Sequence, residues 1–444
     1  VPNYTFFVAA SDKIANDLAW LTQRLGYGLT PDEQSQLEGI RPATLLARWV
    51  DPESHGLVIP PDPFEGLSEP IPLGLKDMEL ADQRQMISEQ YLEAWFNELL
   101  TTVDPLLEWM TFFWHDHFAV TKTAVEDPLT MANHISLLRQ HARGNFGDLL
   151  RAVTIDPAML IFLDGRYSVG EQPNENFGRE LLELYSIGVE HYTEADVAAI
   201  ASALTGWEMP EGDTGAAVFS AWRHDDTPRT LLGVGGVHDV ETSLDVILGH
   251  PALPGFIAGK LAKAILGNDF DVNQVPEFAE VFARHDLEIS PLITVIAQAG
   301  LDKTNRSSLV RHPVSWLINA QKTTGAQLSL DDQSHFLRTS NMLPGQPPHV
   351  GGFPASKDYL SASCTAVRFN CAGNIADLTP RDSLVWAAAT SGDWDALAAL
   401  LGCPAGFSEA LLSTLRELWV NVPIRQHGIS CLTLALASPD LLMV

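Results

Sequence analysis

The feature that most constrains this chain is the spacing of its apolar residues, which recur three and four positions apart rather than two. In residues 85–100, Leu92, Trp95, Phe96 and Leu99 fall at i, i+3, i+4 and i+7, one stripe of a helix. Ile135, Leu138 and Ala142 continue the pattern before Gly144, and Phe146, Leu149, Leu150 and Val153 after it. Thr193 followed by Asp196 reads as a capping box opening a helix that carries Val197, Ile200, Ala201 and Leu204, and Gly188 closes the helix before it. The spacing predicts a mainly α protein, a multi-helix globular bundle with long loops. The breaks are rich in Pro and Gly: residues 54–73, with Pro60, Pro61, Pro63, Pro70 and Pro72, and residues 343–353 (LPGQPPHVGGF). Between Pro210 and Val240, β-prone runs at 217–222 and 230–232 predict at most a small hairpin.

A chain of 444 residues is longer than one ordinary core and suggests two or three packed substructures. We expect an N-terminal helical part over 1–210, an irregular or short β excursion over 211–241, and a C-terminal helical part over 242–444 packed on the first. The formal charge of −29 comes from 27 basic against 56 acidic residues, and charged residues make up only 19%. Basic residues are therefore scarce, which argues against nucleic acid or an anionic membrane as a partner. No apolar stretch reaches the roughly 18 residues of a membrane span. The nearest, at 256–266, is interrupted by Lys260 and Lys263. The chain opens at Val1 and shows no signal peptide, which fits a processed precursor or a trimmed chain and allows export.

Several familiar signals fail. Gly233-Val234-Gly235-Gly236 is followed by His238 where a dinucleotide fingerprint needs its third Gly. Asp269, Asp271 and Asn273 begin like a calcium loop, but Gln274 replaces the turn Gly and Pro276 stiffens the middle. The four cysteines, Cys364, Cys371, Cys403 and Cys431, form no CxxC and are expected as buried free thiols. A Cys403–Cys431 bridge is the alternative in an oxidising compartment.

Three constellations survive. Residues 112–118 (FFWHDHF) set two histidines and an aspartate in an aromatic run, where polar groups must find partners or leave the core. On a continuous helix His115 and His117 lie about 200° apart and share a metal only where the helix ends. In residues 174–188 (NENFGRELLELYSIG), Phe177, Leu181, Leu184 and Tyr185 form a buried stripe. Asn176, Arg179, Glu180 and Glu183 occupy the adjoining flank, where two carboxylates at i and i+3 can bind a metal, share a proton or simply pair with Arg179. The third is Arg223-His224-Asp225-Asp226, a His–Asp pair in a loop that suits metal ligation, acid–base work or a plain turn.

These segments also carry a resemblance. Leu21, Arg24, Gly26, Tyr27 and Gly28, then Trp114, His115, His117 and Phe118, then Gly144–Phe146 and Asp156–Leu160, follow one family pattern. It continues through the most specific element, PNEN…RELLEL…G…YTE.DV…A.ALTGW at 173–207, to His224–Asp226, Lys260–Ala262, Gly345–Pro348, Arg368–Asn370 and Leu436–Asp440. The chain resembles the domain-of-unknown-function 1800 family along nearly its whole length. It departs at Trp20, where the family often has His, and at Arg311-His312-Pro313, which replaces a Lys-rich version. The resemblance implies a bacterial, exported protein, periplasmic or extracellular, whose gene accompanies a sulfatase-like partner. It carries no established reaction and assigns no catalytic residue.

Two readings of function follow. In the first, the chain is an exported enzyme, a hydrolase assisted by a divalent metal or a carboxylate pair. Glu180 or Glu183 would be ligand or general base, with Arg179 and Asn176 beside them, and His115, His117, His224 and Asp225 would supply metal ligands. A His/carboxylate iron oxidoreductase stays open within it. In the second, the chain is a non-catalytic helical scaffold for a partner protein or an extracellular glycan, and the same residues lock helices together.

Overall fold

Three helices of this chain begin with the same two residues, Asp followed by Pro. At Pro105–His117, Pro128–Gln140 and Pro157–Phe162 the preceding Asp104, Asp127 and Asp156 each accept a backbone N–H from the first turn, those of Leu107, Thr130 and Met159. The proline supplies a helical φ where its missing N–H has no partner to lose. The computed structural model describes residues 10–67, 71, 75–210, 215–302 and 305–444. Over these the chain is 62% helical, in 22 helices with two small two-stranded antiparallel sheets, a mainly α fold.

The expected stripes face inward. In Asp77–Thr101 the buried residues include Trp95, Phe96 and Leu99. Pro128–Gln140 and Phe146–Thr154 bury Ile135, Leu138, Phe146, Leu149, Leu150 and Val153 on either side of Gly144. The capping box at Thr193 and Asp196 opens Glu194–Ala203 as the spacing predicts. One connected core runs from Leu18 to Leu442.

Pro105–His117 is apolar on every side, and Leu106, Leu107, Met110, Phe112 and Trp114 are all buried. A helix apolar all round sits inside the core, so its polar residues need partners there. Glu108, fully buried, accepts from Arg139 Nε at 2.7 Å, and burial still pushes its carboxyl up to about 7. Asp104 takes both Arg143 terminal nitrogens, at 2.9 and 2.8 Å.

Where one hairpin is expected, two form. Trp207–Glu208 pairs with Val218–Phe219, and Arg229–Leu231 pairs with Val234–Val237. The two β-prone runs therefore belong to different hairpins. The second turns at Leu232 and Gly233, both left-handed (φ 51° and 82°), as two-residue hairpin loops require. The glycine string at 233–236 supplies this turn with Gly233 and the following strand with Gly235 and Gly236. The 343–353 segment is a loop, and Asp271 caps a short 3₁₀ turn at Asn273 rather than gathering ligands. All four cysteines are free thiols. Pro70 and Pro72 in the first Pro-rich break, and residues 211–214 of the excursion, lie outside the described residues. Among the described residues no helix is long and apolar enough to cross a membrane.

Candidate functional site

The last turn of Pro105–His117 sends three consecutive polar side chains in three directions. His115 faces the 343–353 loop, where its Nε2 accepts the Gly345 N–H at 3.0 Å. A neutral ring that accepts at Nε2 carries its proton on Nδ1. Burial, with His134 nearby, lowers its pKa to about 3, so the ring is neutral. His134 in turn lies against Asp156, with Nδ1 2.8 Å from Oδ2, and both are buried.

Asp116 reaches the other end of that loop. Its Oδ1 accepts the Phe353 N–H at 2.7 Å, and Gly352 lies so close that a Cβ there would stand 2.3 Å from the same oxygen. Burial raises the Asp116 carboxyl, against the Phe353 N–H, Lys260 and His349, which lower it.

His117 points away from both. Its Nε2 lies 3.1 Å from the Tyr185 carbonyl, an acceptor, so Nε2 carries the proton and Nδ1 accepts from Lys260 Nζ at 2.8 Å. Lys260, on the apolar helix Leu253–Leu266, also donates to the Leu184 carbonyl at 3.2 Å and lies 5.2 Å from the centre of the Phe256 ring. Burial lowers its pKa to about 8, with Asp116 acting against the shift. Burial and then Lys260 hold His117 well below the usual imidazole range. Two tyrosines complete the surroundings. The buried hydroxyls of Tyr185 and Tyr359 have no hydrogen-bond partner among the described residues. Burial raises both, with Glu180 adding to the shift of Tyr185 and Asp116 to that of Tyr359. Lys260, Asp116 and Glu180 are each only half-buried, so solvent reaches the cluster.

The flank of Glu175–Glu183 is arranged differently. Asn176 is exposed. Arg179 pairs with Glu194, not Glu183, through two bonds of 2.8 and 2.7 Å. Glu183 accepts from the Tyr192 hydroxyl. Glu180 is half-buried, and burial and then Glu183 raise its carboxyl, with Arg179 acting against the shift. Of these four, Glu180 is the one that acts electrostatically on the cluster, through Tyr185.

The His224–Asp225 loop is tied to its own neighbourhood. His224 bonds to the Thr205 and His238 carbonyls at 3.0 and 2.9 Å, and Asp225 accepts from Ser202, Thr227 and Arg229. Three hydroxyl, backbone and guanidinium donors hold Asp225 far below the usual carboxylate range. All these partners lie within residues 202–238, so the loop joins neither His115 nor His117. Those two face opposite ways themselves. Among the described residues no three His, Cys, Asp or Glu side chains gather closely enough to hold a metal ion.

Sequence reasoning on residue type alone leaves out Lys260, Tyr185, Tyr359 and the His134–Asp156 pair, and treats Asp116 as a neighbour of the histidines. The signal available for Lys260 is that it is one of two charges, with the exposed Lys263, in an apolar helix. For Asp116 it is a carboxylate in an aromatic run. Both are expensive placements.

A family model described as a protein of unknown function (DUF1800) matches residues 20–443. The chain belongs to that family. No curated protein and no solved structure matches it.

Proposed function

We propose that the chain is an enzyme that works by general acid–base catalysis, a hydrolase, with Lys260 and Asp116 as the proton-transferring groups. The observation that carries the reading is the half-buried Lys260, hydrogen-bonded to a neutral His117 with Asp116 close by. A lysine lowered to about 8 holds both ammonium and amine near neutral to mildly alkaline pH, so it can give and take a proton at one atom. His117 fixes the Nζ position, since its own proton is committed to Tyr185. The Tyr185 ring lies against His117, and Glu180 acts on the Tyr185 hydroxyl, adding polar groups next to the pair. Clusters of titratable groups displaced by burial are common where chemistry is done.

Export, a bacterial source and a sulfatase-like counterpart belong to the same proposal and rest on the family likeness. A scaffold that binds a glycan is the second reading, and one place favours it. Trp222 is 84% exposed and Tyr167 63%, with Arg223 and Arg166 set against their rings, a surface on which a sugar could stack.

The test is turnover of p-nitrophenyl esters, phosphates, sulfates and glycosides between pH 6 and 10. One class is expected to be cleaved, with a rate that follows a group titrating near 8 and is lost in Lys260→Met. A rate that survives Lys260→Met, or no turnover of any class, ends the reading.

A further inference from the structure

On the opposite side of Pro105–His117 from Lys260, the 343–348 segment lines two adjoining cavities. The larger, about 430 Å³, has Tyr91, Trp95, Met131 and Ile135 among its walls, with Lys122 at its edge. The smaller, about 270 Å³, has Arg338 in its wall, and Thr123, Leu343 and Gln346 line both. The larger volume lies in the range usual for small-molecule sites, roughly 300–1,000 Å³.

This shared wall is fixed on both sides of Gly345. The Gly345 N–H donates to His115 Nε2, and the Gly345 carbonyl accepts the Lys122 N–H at 2.9 Å. Gly345 itself is left-handed (φ 76°), a conformation that favours glycine. Such a wall is formed before any ligand arrives, which lowers the cost of binding.

Charge is the second observation. Basic residues are scarce in a chain with 27 basic and 56 acidic residues, and several, such as Arg139, Arg143 and Arg306, are already in ion pairs. At these cavities Arg84 is held by Glu126. Lys122 and Arg338 form no ion pair among the described residues, although Glu89 acts on Lys122 from further off. Arg338 is near enough to act on Lys122 as well, so two cations converge beside the shared wall. Lys122 is half-buried, where an anion would be screened less than at an open surface.

We propose that the two cavities form one binding site for a small organic anion, its ring on Trp95, Met131 and Ile135 and its acid group between Lys122 and Arg338. The site is independent of the acid–base cluster. A carboxylate, a sulfonate or sulfate, and a phosphate ester share the chemistry these two cations recognise.

The test is calorimetric titration of the full chain with 2-naphthoate, 2-naphthalenesulfonate and 2-naphthyl phosphate, with neutral 2-naphthol as the control. At least one anion is expected to bind one to one, about tenfold more tightly than 2-naphthol, with an affinity that falls as salt rises. Lys122→Met is expected to weaken it about tenfold, and Arg338→Gln several-fold. Lys122→Arg, which keeps the charge, is expected to restore most of the binding. Arg338 is exposed, so its substitution leaves folding intact and keeps the test open if Lys122→Met folds poorly. Three results would overturn the site: no binding by any anion, equal binding of 2-naphthol, or anion binding unchanged in Arg338→Gln. The ranking of the three anions identifies the acid group preferred.

Discussion

Two regions of this molecule are dense in polar residues, and they are held in opposite ways. On Glu175–Glu183, Arg179 and Glu183 find partners in Glu194 and Tyr192, at the surface and close in sequence. At the end of Pro105–His117, His115, Asp116 and His117 find partners in Gly345, Phe353, Lys260 and Tyr185, buried or half-buried and far along the chain. Exposed pairs trade water for each other at little net gain, whereas buried ones leave a costly unpaired group when either side is removed. The difference teaches that the density of a motif does not locate strained chemistry. Burial does, because it displaces pKa values and commits protons to particular atoms.

The comparison can be broken by substitution. The largest effect is expected from Arg139→Ala, which leaves Glu108 buried without its cation and should cost about 4 kcal/mol of unfolding free energy in urea. A loss as small as that of a surface pair would show that water already reaches Glu108. Gly352→Ala comes next, at about 3 kcal/mol, because its Cβ would strike Asp116 and its φ of 96° disfavours an L side chain. An unchanged melting temperature would mean that the 343–353 loop is not locked to Asp116.

The third effect is a pH dependence. The Glu108 carboxyl is raised from 4.5 to about 7, so the folded state holds a proton that the unfolded chain has released. Its contribution to stability is complete below about 4.5 and is lost as pH rises through about 7. Urea midpoints measured across that window should fall less steeply in Glu108→Gln than in the parent. An identical slope would remove Glu108 as the cause. The smallest effect is expected on the other region: Arg179→Ala should leave the melting temperature unchanged, since its pair with Glu194 is exposed. A clear drop would erase the contrast between the two regions.

How much of this was legible follows from the same physics. Helical stripes such as Trp95, Phe96 and Leu99, and caps such as Thr193 with Asp196, are recorded locally, because each depends on residues within one or two turns. The two hairpins were read as one because strand partners lie across loops whose course the spacing does not carry. At the candidate site, the presence of polar groups in FFWHDHF announced that partners must exist. Their identity did not follow, since Lys260 is 143 residues from His117 and Phe353 is 237 from Asp116. On the Glu175–Glu183 flank the partners are likewise not carried by the spacing. Its carboxylates share a face, but Tyr192 and Glu194, just beyond the helix, satisfy Glu183 and Arg179 at the surface.

The central claim, that the reactive groups lie at the buried helix end rather than on the Glu175–Glu183 flank, turns on the protonation of Lys260. Reductive methylation with ¹³C-formaldehyde, followed by NMR titration and assigned by Lys260→Met, reads that protonation directly. The expected midpoint for Lys260 is near 8, moving lower in Asp116→Asn because the opposing carboxylate is gone. A midpoint near 10.5, the ordinary lysine value, and unmoved by Asp116→Asn, would contradict it.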